Sequence, residues 1–137
     1  MRAPAPGRVL LHAVFDAGRV AHLRRLIGRL ARQSGLEAGR TEDLVVAVNE
    51  VMTNAVRHGG GTGEVRLVVD HDLICEVYDT GAGFDATAHT GRTVPPPPRV
   101  GGGGLGIWMA RQVADALSIA SGPAGTRARI RFALPRA

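Results

Sequence analysis

Glu50–Gly59 reads EVMTNAVRHG, Asp79–Phe84 reads DTGAGF, and Gly101–Gly106 reads GGGGLG. The first stretch has helical periodicity. On a wheel of about 100° per residue with Glu50 at zero, Asn54 falls near 40° and Arg57 near −20°. Leu44, Val48, Val51, Met52 and Ala55 gather at about 100–200°. Glu50, Asn54 and Arg57 therefore form a polar stripe opposite the expected core face. Taken alone, such a stripe is ordinary solvent-facing surface, whose side-chain pairs contribute only a few tenths of a kcal/mol.

The second stretch follows directly on a β-type run. An Asp at a strand end can accept a hydrogen bond from an exocyclic amine, and Gly81 and Gly83, lacking a Cβ, let a flat base come close to the backbone. A plain glycine turn would look the same. The third stretch precedes a helix, whose first amides are unpaired and, with the helix dipole, suit phosphate groups. A flexible hinge would also be glycine-rich. A proline-rich segment, not a strand, leads into it, so it is no dinucleotide-binding fingerprint.

Working outward, residues 1–7 read as a loose tail. Arg8–Phe15 alternates as a strand, with Val9, Leu11, Ala13 and Phe15 on one side. Asp16 is placed to cap a helix carrying Val20, Leu23, Ile27 and Leu30 at helical spacing, which Ser34-Gly35 closes. Thr41-Glu42-Asp43 opens a second helix running to about Arg57, stopped by the glycines after His58. Glu64–Val69 and Leu73–Tyr78, joined at Asp70-His71-Asp72, read as an antiparallel hairpin. Residues 84–103, with four consecutive prolines at Pro95–Pro98, lack periodicity and read as a lid or binding loop. A third helix begins near Gly104 and continues through Trp108, Met109, Val113 and Leu117. Two β-type runs, Leu117–Ala120 and Thr126–Leu134, close the chain around Gly122-Pro123. The expected fold class is α+β, a two-layer sandwich with a mostly antiparallel mixed sheet covered on one face by about three helices. Residues 8–137 form one domain.

Composition narrows the chemistry. With 137 residues the chain suits a single domain, and it holds no apolar run near the roughly 20 residues of a membrane span. No secretory signal is expected, since His12 and Asp16 interrupt the short apolar stretch near the N-terminus. The single Cys75 reads as a core residue in a reducing compartment. The net charge of +5 comes from scattered arginines, and the five Phe, Trp and Tyr residues do not cluster, so no direct nucleic-acid contact is expected. All 17 basic residues are arginine. That excludes a Walker-type phosphate loop and Schiff-base chemistry, both of which need lysine.

The order of the motifs is more telling than any one of them. EVMTNAVRHG with its Asn54 resembles the N box of the GHKL ATPases, DTGAGF their first glycine box, and GGGLG before a helix their second. The hairpin between the first two, the lid before the third, and Thr126 just ahead of the last strand also agree. The resemblance spans about residues 8–134 and implies the Bergerat fold with ATP and Mg²⁺ as cofactors. It implies that Asp79 contacts the adenine amine, supported by Thr126, with Gly81 and Gly83 against the base. Asn54 would offer its oxygen to Mg²⁺, and Gly103, Gly104, Leu105 and Gly106 would place helix-start amides on the phosphates. Glu50 would act as the base toward the attacking hydroxyl, with Arg57, Arg92 and Arg99 as candidates for cationic help.

Only one helix precedes the N box, and His22 in AHLRRL lacks the acidic neighbour expected after a phospho-acceptor, so the chain is not read as a histidine kinase. It is similar instead to the short anti-sigma-factor serine/threonine kinases. That likeness implies a cytoplasmic kinase whose substrate is an anti-anti-sigma (STAS-type) protein, with a sigma factor as a further possible partner and a homodimer as a possible state. Two other readings stay open: a nucleotide-gated protein-binding module with little kinase activity, and a nucleotide-free scaffold.

Overall fold

The computed structural model describes residues 5–80 and 103–135. Residues 84–102 of the lid expected at 84–103, with Arg92 and Arg99, and the glycines Gly81 and Gly83 lie outside the described residues. Strand β1 (Arg8–Asp16) leads through a single 3-10 turn into helices α1 (Val20–Gln33) and α2 (Ala38–His58). The hairpin β2 (Thr62–Asp70) and β3 (Asp72–Asp79) follows, and then α3 (Gly103–Val113), β4 (Ala116–Gly122) and β5 (Gly125–Phe132). The sheet order is β1-β2-β3-β5-β4, and every pairing among the described residues is antiparallel, so the expected mixed element is not seen there.

Local chemistry accounts for the element ends. Asp16 accepts a hydrogen bond from the Gly18 amide and turns the chain into α1. At the other end, Leu36 N–H reaches Ala31 C=O and Gly35 N–H reaches Arg32 C=O, both at 3.1 Å. This double closure needs a left-handed residue between them, and Gly35 supplies it at φ +105°. Leu36 is buried immediately after the turn.

Three expectations need correction. Helix α2 starts at Ala38, not Thr41: the Thr41 hydroxyl bonds back to the Glu37 carbonyl at 2.8 Å, as a threonine inside a helix does, and so caps nothing. Helix α3 ends at Val113, and Leu117 lies in β4. Asp115 draws the chain onto the sheet there, its amide donating to Arg131 C=O and its carboxylate accepting from Ala133 N–H and Arg40. In β1 the pairing with β2 shifts between Val9 and Leu11, and this irregularity takes Val9 off the face of Leu11, Ala13 and Phe15, leaving it 46% exposed.

The helices cover one face of the sheet. Phe15, Leu23, Ile27, Met52, Leu67, Leu73, Ile107, Ile130 and Phe132 form the core between the layers. Cys75 is part of it, and burial, with the Glu76 charge next in sequence, pushes its thiol up to about 12. It is therefore packed, not reactive. Asn49 in α2 accepts from Arg24 of α1 at 3.1 Å, tying the two helices together. Arg40 clamps α2 to the far side of the fold: it bonds Asp43, the Val113 carbonyl and Asp115, and lies 4.5 Å from the Phe132 ring centroid.

The outer face of the sheet carries a second, polar cluster. Glu76 on β3 is fully buried and accepts from Ala5 N–H at 2.9 Å and from Arg129 at 2.8–2.9 Å, with Arg66 at 3.4 Å. Ala5, within the stretch read as a loose tail, is 2% exposed, and its carbonyl accepts from Arg66. Burial alone would raise the Glu76 pKa, but the Ala5 amide and the Arg129 guanidinium outweigh it and hold the carboxyl below its usual 4.5. A carboxyl held low in the fold contributes stability above its unfolded pKa and loses that contribution as pH falls through the folded value. Glu76→Gln is expected to cost about 3 kcal/mol at pH 7 by removing the buried negative charge that Arg129 and Arg66 face. In urea titrations the gap between the two proteins should narrow on acidification below 4.5. A gap independent of pH would contradict this assignment.

Candidate functional site

Asn54, Asp79 and Thr126 come from three different elements and converge on one cavity. They line it with Val51, Ala55, Val77, Ile107, Ile119 and Ala128. All three polar residues are buried, at 6%, 8% and 6% exposure. The β3–β5 register places Asp79 directly opposite Thr126. Both side chains stand on the helix-facing side of the sheet, at its end, where α2 and α3 close over them. The Thr126 hydroxyl lies 2.8 Å from that of Ser121 on β4, which fixes it further. The cavity is small, with about 10 Å³ available to the centre of a water-sized sphere. That is roughly the room one water needs, so the walls must part to admit a purine.

Burial of Asn54 corrects the expected polar stripe. The buried arc of α2 runs from Asn54 at about 40° to Met52 at about 200° on the same wheel. The sheet, α1 and α3 all pack on this helix, and a wheel read against a single core face misses the side that α3 covers. The stripe therefore splits: Asn54 is inside, Glu50 is half-buried at its margin, and Arg57 is exposed in the last turn. Arg57 does not line the cavity.

Helix α3 lies antiparallel to α2. Near its start Gly106 packs on Glu50, and its C-terminal carbonyl at Val113 reaches Arg40. A Cβ at Gly106 would collide with the Glu50 carboxylate. Gly103, Gly104 and Leu105 form the first turn of this helix, where unpaired amides occur.

Two positions that shape the candidate site escaped the sequence reading. Gly59, which looked like a mere helix stop, is buried, and a Cβ there would overlap the Asp79 side chain and the Ala55 carbonyl. Gly125, at φ +126°, sits against the Asp79 carbonyl, which a Cβ would strike. Asp79 is thus cradled between two glycines, one ending α2 and one opening β5. The HGGG run is the only sequence signal for the first, and a glycine ahead of Thr126 the only signal for the second.

Comparison with known proteins agrees with this geometry. The family described as Histidine kinase-like ATPase domain matches residues 14–132. The chain belongs to that family. It is 30% identical over 132 residues to the serine-protein kinase RsbW of Bacillus pumilus (strain SAFR-032), covering 82% of this chain and 78% of the relative. It is also 30% identical over 112 residues to RsbW of Bacillus licheniformis, covering 73% and 70%. Among solved structures, the RsbU and RsbW domains of a Mycobacterium tuberculosis protein superpose with a TM-score of 0.65 at 22% identity. That match covers 98% of this chain and about a third, 34%, of the other. The mycobacterial sensor histidine kinase MprB gives a TM-score of 0.55 at 22% identity, covering 90% of this chain and 100% of that one. The expected GHKL fold and the likeness to the serine-kinase branch are both borne out.

Membership of an ATPase family makes the glycine cradle testable through nucleotide. Gly59→Ala is expected to displace the Asp79 carboxylate and weaken binding of a fluorescent ATP analogue at least tenfold, about 1.4 kcal/mol. An unchanged affinity in a folded variant would show that the cradle does not govern Asp79.

Proposed function

We propose that the chain is a Mg-ATP-dependent serine/threonine protein kinase that phosphorylates an anti-anti-sigma (STAS-type) partner in the cytoplasm, and acts as an anti-sigma-factor-like regulator. The convergence of Asp79, Thr126 and Asn54 on one cavity carries this reading, and its likeness to proteins named serine-protein kinase RsbW supports it. A buried carboxylate beside a hydroxyl, at a strand end free of Cβ obstruction, is chemistry suited to an exocyclic adenine amine. Asn54, an oxygen donor deep in the cavity wall, suits Mg²⁺, which takes few protein ligands and completes its shell with phosphate and water.

Bound Mg-ATP would supply the phosphoryl group, and its Mg²⁺ would offset the negative charge that develops on transfer. Within this reading, the first-turn amides of α3 from Gly103 to Gly106 hold the phosphates, and Glu50 orients the acceptor hydroxyl and takes its proton. Glu50 lies one turn before Asn54, on the margin of the same helix face. Arg57, exposed at the end of α2, would add positive charge on the side of the phosphates.

The packing of Gly106 on Glu50 favours one rival, a nucleotide-gated binding module in which that carboxylate is idle. Labelled ATP offered with purified STAS-domain proteins from the source genome separates the two. A kinase transfers label to Ser or Thr of one of them, and Glu50→Gln should lower that rate at least about 100-fold while ATP still binds. Asp79→Asn should weaken ATP binding by about 1.5–3 kcal/mol. A partner retained in the presence of ATP but never labelled would favour the binding module.

A further inference from the structure

Strand β4 is one edge of the sheet among the described residues, and its sequence ALSIASG contains neither a charge nor a proline. The opposite edge, β1, carries Arg8, His12 and Asp16. Edge strands are usually protected by charge, proline or a covering element, because their outward amides and carbonyls can pair with another chain. Along β4 and the turn after it runs an open groove of about 470 Å³, lined by Ser118, Ala120, Gly122, Pro123, Gly125 and Arg127 among others.

Arg127 distinguishes this groove from a bare edge. It is only 4% exposed, and its Nε and Nη1 have no hydrogen-bond partner. The nearest cross-strand neighbours are Tyr78 on β3 and Ala120 on β4, neither of which is anionic. Of the strand carboxylates on the same face, Glu76 is taken up by Ala5, Arg129 and Arg66, Glu64 by His12 and Asp72 by Arg131. Asp79 alternates to the other face of the sheet, beside Asn54 and Thr126. A buried guanidinium without an anion is a costly arrangement, and a carboxylate brought to it would form a charge-assisted bond.

We infer that the β4 edge docks an extended, acidic segment of a partner protein, which adds to the sheet as a further strand and seats one carboxylate on Arg127. The uncharged edge supplies main-chain pairing and the arginine supplies selection for acid, the division of labour found in strand-addition complexes. The site lies on the face of the sheet away from the nucleotide cavity, so it does not depend on the kinase reading.

Ala120 offers a direct test, because it is exposed and stands opposite Arg127 in register. Its Cβ lies about 4.5–5.5 Å from that of Arg127, as in any directly opposed pair. Ala120→Glu would therefore supply in cis the carboxylate that the partner brings. The ¹⁵N-labelled full chain is titrated with a blocked heptapeptide alternating glutamate with valine, and with its glutamine counterpart. The expected result is amide shifts over residues 116–125 and at least tenfold tighter binding of the glutamate peptide. Ala120→Glu should raise Tm and abolish that preference, and Arg127→Gln should abolish the preference as well. If Arg127→Gln fails to fold, the exposed Ala120 variant still decides. Equal binding of the two peptides, no shifts along β4, or a preference that survives Ala120→Glu would each overturn the inference.

Discussion

A buried carboxylate at the end of a sheet needs polar partners to offset its desolvation, and close-packed backbone fixes where it points. At Asp79, Gly59 packs on the side chain and Gly125 on the main-chain carbonyl, where a Cβ on either glycine would collide. Much of the local architecture serves this contact. Helix α2 must end at His58 for Gly59 to reach the strand, and β5 must open at Gly125 for Thr126 to stand opposite Asp79. A one-residue slip in the β3–β5 ladder would turn Thr126 to the other face and separate the pair.

The second requirement is a helix that α3 covers as well as the sheet and α1. The sheet takes the Val48 and Met52 side of α2, and α3 covers the side that includes Ala47 and Asn54. Arg40 secures this arrangement from the far end by holding the α3 C-terminus and stacking on Phe132. Near the other end, the absence of a Cβ at Gly106 lets α3 settle against Glu50. Glu50 and Asn54 thus have different surroundings although they are one turn apart: one is half-buried beneath a helix start, the other enclosed by the cavity wall.

Much of this was legible in the residues. The hairpin, the Ser34-Gly35 stop and the two closing strands followed from period and turn chemistry, because each is a local property of a few residues. The N box and the first glycine box pointed to Asn54 and Asp79, the threonine at the last strand to Thr126, and the fold brings these three residues to one cavity. What escaped were the non-local facts. Nothing near Asn54 in sequence announces that α3 will bury it, and nothing near Gly59 announces Asp79. Similarly, the docking of Ala5 on Glu76 joins residues 71 positions apart, and the irregularity that exposes Val9 arises from pairing with β2, not from β1 itself. The Arg127 groove was illegible for the same reason, since a single arginine in an alternating strand carries no mark of lacking an anion.

A crystal structure with Mg²⁺ and a non-hydrolysable ATP analogue tests most directly whether Asp79 is the adenine-recognising carboxylate. The expected result is the exocyclic adenine amine on the Asp79 carboxylate, with the cavity among Val51, Asn54 and Thr126 widened to hold the base. A nucleotide bound with its base elsewhere, leaving that cavity closed, would contradict it.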